Sequence, residues 1–231
     1  MTQEFIESSV FFGAAVSLTA YGIGMYLNRK FHFALFNPLL ISIILTIAVL
    51  LLMNVSYDSY YRGAQYLSYL LTPATVCLSV PLYRELEQLK RNWKAIIAGS
   101  VAGVLTSLGG VLMLALLFDF THEQYVTLLP KSITTAIGMG VSQEMGGIVN
   151  ITVAAIVITG ILGNMIAELV CKIFRITEPV AKGLAIGSAA HAIGTTKAMQ
   201  MGEVEGAISS LAIAVSGLIT VVGASIFVNF L

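Results

Sequence analysis

Charged residues are scarce in this sequence. Its 231 residues contain 12 Lys and Arg and 12 Asp and Glu, so 10% of the chain is charged while 57% is hydrophobic. An average soluble domain carries roughly 25% charged residues, because polar groups must cover its surface. The shortage argues strongly against a soluble enzyme, a nucleic-acid-binding protein or a disordered chain. It leaves a polytopic membrane protein, whose solvent is the lipid bilayer.

Reactive and metal-ligating patterns are also lacking. The two cysteines, Cys77 and Cys171, both lie in apolar stretches, and their spacing gives neither a disulfide framework nor a metal site. A phosphate-binding loop, a dinucleotide fingerprint and an HExxH motif are absent from the sequence. We therefore expect no cofactor, no bound metal and no enzymatic activity. Glu4 and Glu7 replace the basic residues that begin a cleavable signal, so none is expected.

Long uncharged stretches are what the sequence has in abundance. A helix needs about 20 apolar residues to span a bilayer, and six stretches are long enough: 8–28, 32–54, 63–83, 95–118, 145–167 and 206–231. Two shorter stretches, 124–143 and 183–196, are rich in Gly, Ser and Thr and are predicted to be re-entrant or broken helices. The predicted fold is an all-α polytopic membrane protein with six to eight transmembrane or re-entrant helices. Residues 1–231 are predicted to form a single integral membrane domain.

Basic residues between these stretches predict their orientation, because cytoplasmic loops are enriched in Lys and Arg. The three basic clusters are Arg29 with Lys30, then Arg84, Lys90, Arg91 and Lys94, and finally Lys172, Arg175 and Lys182. All three can be cytoplasmic if residues 124–143 dip into the membrane and return on the same side. The N-terminus is then predicted to lie outside the cell.

A weak internal repeat and several helix breaks point to a passage for a solute. The repeat has a period of about 60 residues, around 63–118, 124–174 and 179–231, and chance similarity between apolar stretches is the alternative explanation. Breaks are predicted at four residues: Pro73, Pro81, Pro130 and Gly194. Unwound backbone survives in a membrane where protein or a water-filled cavity covers it, and secondary transporters use such breaks to bind substrates. A kink without a ligand is the alternative at any single proline.

Two ionisable residues near the breaks are the candidates for substrate binding. Lys131 follows Pro130 where a helix is expected to begin, so its ammonium could bind a carboxylate, with hydroxyls of Ser132, Thr134 and Thr135 as hydrogen-bond donors. Alternatively, Lys131 extends to the membrane surface. His191 is predicted to share a helical face with Ser188 and Thr195. It either contacts the substrate or carries a proton, or it makes a hydrogen bond between helices.

Several separated motifs resemble one known family. Residues 71–83, LTPATVCLSVPLY, are similar to a stretch of the LrgB/CidB family, and LPKSITT at 129–135, GGI at 146–148 and GLAIGSAAHAIGT at 183–195 are similar to later ones. EGAISSLA at 205–212 also matches. The resemblance covers nearly the whole chain. The sequence departs from the common pattern at Ala136 and Gly138, near the predicted break, and at Thr196 and Lys197.

The resemblance implies two alternative functions in the bacterial cytoplasmic membrane. One is transport of a small monocarboxylate such as pyruvate, glycolate or glycerate, which is the function that the residues favour. Thr75 is then a further hydroxyl of the binding site. The other is antiholin-like regulation of murein hydrolases and autolysis, together with a small holin-like partner of the LrgA/CidA type. A homodimer is also expected, because the Gly-x-x-x-Gly spacings allow helices to pack closely.

Overall fold

A computed structural model describes residues 9, 11–31, 36–70, 73, 76–77, 83–84 and 86–231. These residues form α-helices joined by short connections, and no strand occurs among them. The chain divides into two compact units, with the boundary after Cys77. The all-α fold class predicted from the sequence is confirmed.

Among the described residues of the first unit, three helices occur: α1 at Phe12–Phe31, α2 at Pro38–Met53 and α3 at Tyr57–Ser68. Asn37 determines where α2 begins, because its side-chain oxygen accepts hydrogen bonds from the backbone N–H groups of Leu39 (2.9 Å) and Leu40 (3.3 Å). Pro38 occupies the first position of the helix, where the missing N–H costs nothing. Ser17 and Tyr60 join α1 to α3 by a hydrogen bond of 2.7 Å between their hydroxyls.

The part of the second unit that the structure describes from residue 86 onward contains six helices and a short 3₁₀ helix. In chain order they are α4 at Leu86–Leu117, α5 at His122–Leu128, α6 at Thr135–Glu144, α7 at Val149–Ile173, α8 at Pro179–Met201, α9 at Glu203–Phe227 and the 3₁₀ helix at Val228–Phe230. Helices α4, α7 and α9 contain stretches long and apolar enough to cross a membrane. Large apolar side chains such as Leu117, Leu218 and Ile173 are more than 60% exposed on them, as expected for lipid-facing surfaces.

The six predicted spans have different outcomes. Those at 95–118, 145–167 and 206–231 correspond to the three long apolar helices of the second unit. The span predicted at 32–54 contains a helix of 16 residues, shorter than a typical crossing, and the one at 8–28 overlaps α1, which is not among the candidate spans. The span predicted at 63–83 runs partly outside the described residues.

Helices α4, α7 and α9 cross the second unit in alternating directions. Leu89 and Ile96, early in α4, pack with Ile208 near the start of α9, while Leu108 and Val111 pack with Ala224 near its end. Helix α7 runs the opposite way. We call the end that holds Lys90, Lys94, Lys172, Arg175 and Lys182 the basic end, and the end that holds Asp119, Glu123 and Glu144 the acidic end.

Residues 122–144 enter from the acidic end and return to it. Thr127 in α5 lies beside Ser142 and Gly147 at the end of α6, and the Pro130 carbonyl lies beside Gly138 within α6. Such pairings require α5 and α6 to run antiparallel, with residues 129–134 as the tip. We call residues 122–144 the acidic-end hairpin. The dip predicted for 124–143 from the charge distribution is therefore present, and Pro130 lies at its break.

Residues 179–201 make a second hairpin from the opposite end. The backbone of His191 has φ 42° and ψ −141°, which is not helical. Gly194 consequently packs against Ile186 and Ala190, and Ala198 lies in one cluster with Ile186. In a straight helix, residues 186 and 198 would be about 18 Å apart. Helix α8 thus consists of two antiparallel halves, 179–190 and 192–201, which we call the basic-end hairpin.

Two predictions about this segment need correction. The chain reverses at His191 and not at Gly194, because His191 has the positive φ while Gly194 lies in the returning half. Ser188, His191 and Thr195 do not share a helical face, because the reversal separates Ser188 from Thr195. Thr195 instead donates to the His191 carbonyl (3.0 Å) and bonds Ser209 of α9 (2.6 Å).

Candidate functional site

Both hairpins reach the middle of α4 near their tips. Ser107 of α4 donates a hydrogen bond of 3.0 Å to Ser132 at the tip of the acidic-end hairpin. One helical turn earlier, Gly103 lies against Ser188 in the basic-end hairpin, whose hydroxyl would be 2.9 Å from a Cβ placed on Gly103. Residues four apart on a helix differ by about 6 Å in height. The two broken segments therefore approach each other halfway through the unit.

A cavity of about 830 Å³ opens at this meeting point, and we call it the central cavity. Helices α4, α7 and α8 and the tip of the acidic-end hairpin surround it. Its polar wall consists of Thr106, Ser107, Lys131, Ser132, Thr159 and Ser188. Apolar side chains, among them Val111, Leu162, Ile166 and Leu184, and four glycines complete the lining. Small-molecule sites in proteins share this size and this combination of an apolar wall with few polar groups.

Among the described residues that line the central cavity, Lys131 carries the charge. Its ammonium donates to the Ser132 hydroxyl at 2.9 Å, and no carboxylate among the described residues lies within ion-pair distance of it. The Ser132 oxygen accepts from both Lys131 and Ser107, so its own O–H remains available as a donor. An unpaired cation at membrane depth is energetically costly and is usually functional. This side of the cavity can therefore hold an anion.

A helix begins directly beside this cation. Helix α6 starts after Thr134, whose side chain makes no capping hydrogen bond, so the first N–H groups of α6 lack that partner. The positive end of the helix dipole adds to the charge of Lys131. Thr134 and Thr135, both half-buried, stand at the helix start and not in the cavity wall.

Buried hydroxyls fix the acidic-end hairpin to α7. Thr152 of α7 donates to the Thr127 carbonyl at 2.8 Å and lies 2.6 Å from the Ser142 hydroxyl. Thr127 in turn accepts from the Ile148 backbone N–H at 2.8 Å. These side chains are almost fully buried. Because buried polar groups are costly unless paired, the network holds the tip that carries Lys131 in one position.

His191 is not among the residues that line the central cavity. Its side chain is 2% exposed, and its Nε2 is 3.0 Å from the Ile156 carbonyl of α7. A carbonyl accepts, so Nε2 carries the proton and donates. Asn164 of α7 supports the returning half of the hairpin by donating to the Ile193 carbonyl at 2.8 Å. The geometry matches the alternative of a hydrogen bond between helices, and a contact of His191 with substrate stays a prediction.

The strained backbone of His191 gives a stability prediction. Positive φ with ψ near −141° is a region that glycine tolerates and other residues occupy at a cost of about 1–3 kcal/mol. His191→Ala removes the hydrogen bond but keeps the strain, whereas His191→Gly removes both. We expect His191→Gly to have the higher Tm of the two variants in detergent. An equal or higher Tm for His191→Ala would contradict the strained reversal.

The other residues predicted for the site lie wholly or partly outside the described residues. Thr75 and Pro81 lie outside the described residues, and Pro73 is described without its direct neighbours. The structure adds Ser107, Thr159 and Asn164, which the sequence analysis missed. In the part of the chain that the structure describes, no three His, Cys, Asp or Glu side chains form a group that could hold a metal.

Comparison with known proteins identifies a family and several relatives to which this chain is similar. The model of the family described as LrgB-like matches residues 17–230. The chain is 37% identical over 224 residues to the antiholin-like protein LrgB of Bacillus subtilis (strain 168), which covers 96% of this chain and 97% of the relative. It is also 37% identical to the antiholin-like proteins LrgB of Bacillus mycoides (strain KBAB4) and Bacillus cereus (strain B4264), with 96% of each chain covered. No solved structure matches the chain.

Proposed function

Because the chain belongs to the LrgB-like family, we propose that it acts as an antiholin-like protein of the bacterial membrane. The observation that carries this proposal is the identity of 37% over nearly the full length of relatives with that name. The long apolar helices of the second unit fit a multi-pass membrane protein. We further propose that the protein acts with a small holin-like membrane protein of the LrgA/CidA type and thereby regulates murein hydrolases and autolysis.

A complementation experiment tests the antiholin-like function. The chain is produced in a Bacillus subtilis strain that lacks its LrgB relative, and the rate of autolysis is measured by the loss of turbidity. We expect the rate to return to that of the parent strain, and we expect a tagged LrgA-type protein to co-purify with the chain. An unchanged lysis rate, with the chain present in the membrane, would contradict the proposal.

The central cavity supports a second function, the binding and passage of a small monocarboxylate. Its supporting observation is the unpaired Lys131 between two helix breaks that meet at mid-depth. Secondary transporters place substrates at such meeting points, where half-helices begin and end. In this proposal Lys131 binds the carboxylate, and Ser132 and Ser188 are the hydroxyls closest to the remaining polar atoms of the substrate.

Flux into proteoliposomes tests this second function. Pyruvate, glycolate and glycerate are offered to the purified chain, and each is paired with its uncharged amide. We expect saturable uptake of at least one carboxylate and uptake of its amide near that of empty liposomes, because the amide gives Lys131 no charge to neutralise. Equal uptake of acid and amide, or no uptake by the chain alone, would count against transport. The latter result would leave the antiholin-like function as the better explanation.

A further inference from the structure

A second cavity lies at the basic end of the second unit. It has a volume of about 670 Å³ and lies where α7 ends, α8 begins and the returning half of α8 ends. Lys172, Arg175 and Lys182 contribute its cationic groups, and Cys171, Ile176 and Met201 contribute apolar surface. None of the residues that line this cavity also lines the central cavity. A ligand here would therefore occupy a site distinct from the proposed carboxylate site.

None of the three cations of this cavity lies within ion-pair distance of a carboxylate among the described residues, although the charge of Lys172 acts on Glu168. Glu168 supplies a carboxylate to the described part of the cavity wall. It forms an ion pair with Lys197, with 2.6 Å between Glu168 Oε1 and Lys197 Nζ. The charge of Glu168 is thereby largely balanced by a lysine outside the wall. Lys172, Arg175 and Lys182 remain as an excess of positive charge around one space, which favours an anion with more than one acceptor oxygen.

Local backbone structure works against this concentration of charge. Lys182 is the fourth residue of α8, near the positive end of the helix dipole, where a cation is unfavourable. Arg175 has φ 53° in the turn that ends α7. In this turn the backbone N–H of Ile176 donates to the Cys171 carbonyl at 2.8 Å, and that of Arg175 donates to the Lys172 carbonyl at 3.2 Å. Glycine usually occupies this position. A bound anion would interact favourably with the positive end of the helix dipole and would reduce the mutual repulsion of the cations.

The cavity also borders surface that suits lipid. Ile173 and Phe174, at the end of α7, are 65% and 71% exposed beside the basic residues. Apolar side chains that flank cationic groups at the end of a membrane helix match a phospholipid, whose phosphate lies next to its acyl chains. An arginine and two lysines are the side chains that proteins use most to bind phosphate oxygens.

We propose that the basic-end cavity is a binding site for a phosphate group, supplied by an anionic phospholipid or by a soluble phosphate compound. Arg175 provides two parallel N–H donors to the phosphate oxygens, and Lys172 and Lys182 neutralise the remaining charge. Ligand binding here joins the end of α7 to the first residues of the basic-end hairpin.

Binding to the purified full chain tests the site. Native mass spectrometry counts phosphatidylglycerol retained against phosphatidylcholine, and a thermal-shift titration measures the response to inorganic phosphate. The triple variant Lys172→Gln, Arg175→Gln, Lys182→Gln is compared with Lys90→Gln, Lys94→Gln, which removes two exposed lysines from the same end. We expect at least a tenfold loss of affinity in the triple variant and wild-type affinity in the control.

The two ligands distinguish the source of the phosphate. Retention of phosphatidylglycerol without a response to inorganic phosphate supports a lipid headgroup, and a response to inorganic phosphate supports a soluble compound. Arg175→Gly separates binding from folding, because glycine accepts the left-handed backbone while the guanidinium is lost. It should have a Tm no lower than that of the wild type and bind more weakly. No binding of either ligand by the wild type, or equal loss in the triple variant and the control, would overturn the proposal.

Discussion

Replacing Lys131 by glutamine is expected to weaken binding of small carboxylates by roughly 10- to 150-fold. A hydrogen bond to a charged group contributes about 1.5–3 kcal/mol, and each 1.4 kcal/mol corresponds to a factor of ten in Kd. The glutamine amide is also a hydrogen-bond donor and can replace the donor that Lys131 offers to Ser132 at the tip of the acidic-end hairpin. The loss should therefore appear in affinity and not in folding. Calorimetric titration of the purified variant measures it.

Two control variants sharpen this experiment. Lys94→Gln removes an exposed lysine at the basic end, outside the central cavity, and should leave the Kd unchanged. Ser132→Ala removes a neutral donor and should weaken binding by less than the lysine variant, because neutral hydrogen bonds contribute about 0.5–1.5 kcal/mol. If Lys131→Gln bound the carboxylate as tightly as the wild type, the central cavity would not be a carboxylate site.

Replacing Gly183 by alanine is expected to destabilise the second unit by about 1–3 kcal/mol, the usual cost of overpacking. A Cβ on Gly183 would lie 2.5 Å from the Glu205 carbonyl oxygen and 2.9 Å from the Ile208 Cβ. Both atoms belong to α9, and the first is backbone, which cannot rotate away. Membrane helices rely on such close approach, because lipid provides no hydrophobic driving force between them.

Gly109→Ala is the matched control for this change. Gly109 lies within α4, and a Cβ there meets nothing within 4 Å. Alanine has the higher helix propensity, by about 0.8–1.0 kcal/mol. We therefore expect opposite signs from the same substitution: a lower Tm for Gly183→Ala and an unchanged or higher Tm for Gly109→Ala. Heating followed by size-exclusion chromatography of the protein that remains folded measures both. Equal Tm values would show that α8 and α9 have room to separate.

Much of the architecture could be predicted because it follows from composition. The scarcity of charge predicts a membrane protein, and the three uncharged stretches of the second unit coincide with its long apolar helices. The positions of the basic residues predict the return of 124–143 to its own end. Pro130 marks the break of that segment because proline cannot continue a helix. In each case a single residue type or a run of residues determines the outcome.

The reversal at His191 could not be predicted, because its cause is tertiary. Glycine is the residue that usually accepts positive φ, so Gly194 was the better candidate by residue type. The histidine takes this conformation where its ring bonds the Ile156 carbonyl and Gly160 leaves space for it. The assumption of a continuous helix then placed Ser188 and Thr195 on a common face, which was wrong.

Residues missed by the sequence analysis share another cause. Ser107 and Thr159 are hydroxyl residues in long apolar helices, and they become relevant once the hairpin tips place them around one cavity. Asn164 could have been found, because an amide within the apolar stretch 145–167 needs a partner. The structure supplies that partner in the Ile193 carbonyl.

In the described part of the second unit, each of the two hairpins is followed by a helix of 25 residues, α7 or α9, and we call each hairpin with its helix a segment. A hairpin returns to the end from which it came, so only the long helix of each segment crosses the unit. The number of crossings per segment is therefore odd. A second copy placed directly after the first must then begin at the opposite end and point the other way. The second segment is inverted because the first crosses the unit an odd number of times. No special connection between the two segments is needed. In the described part of the unit, one hairpin therefore enters from each end, and the two segments run in opposite directions.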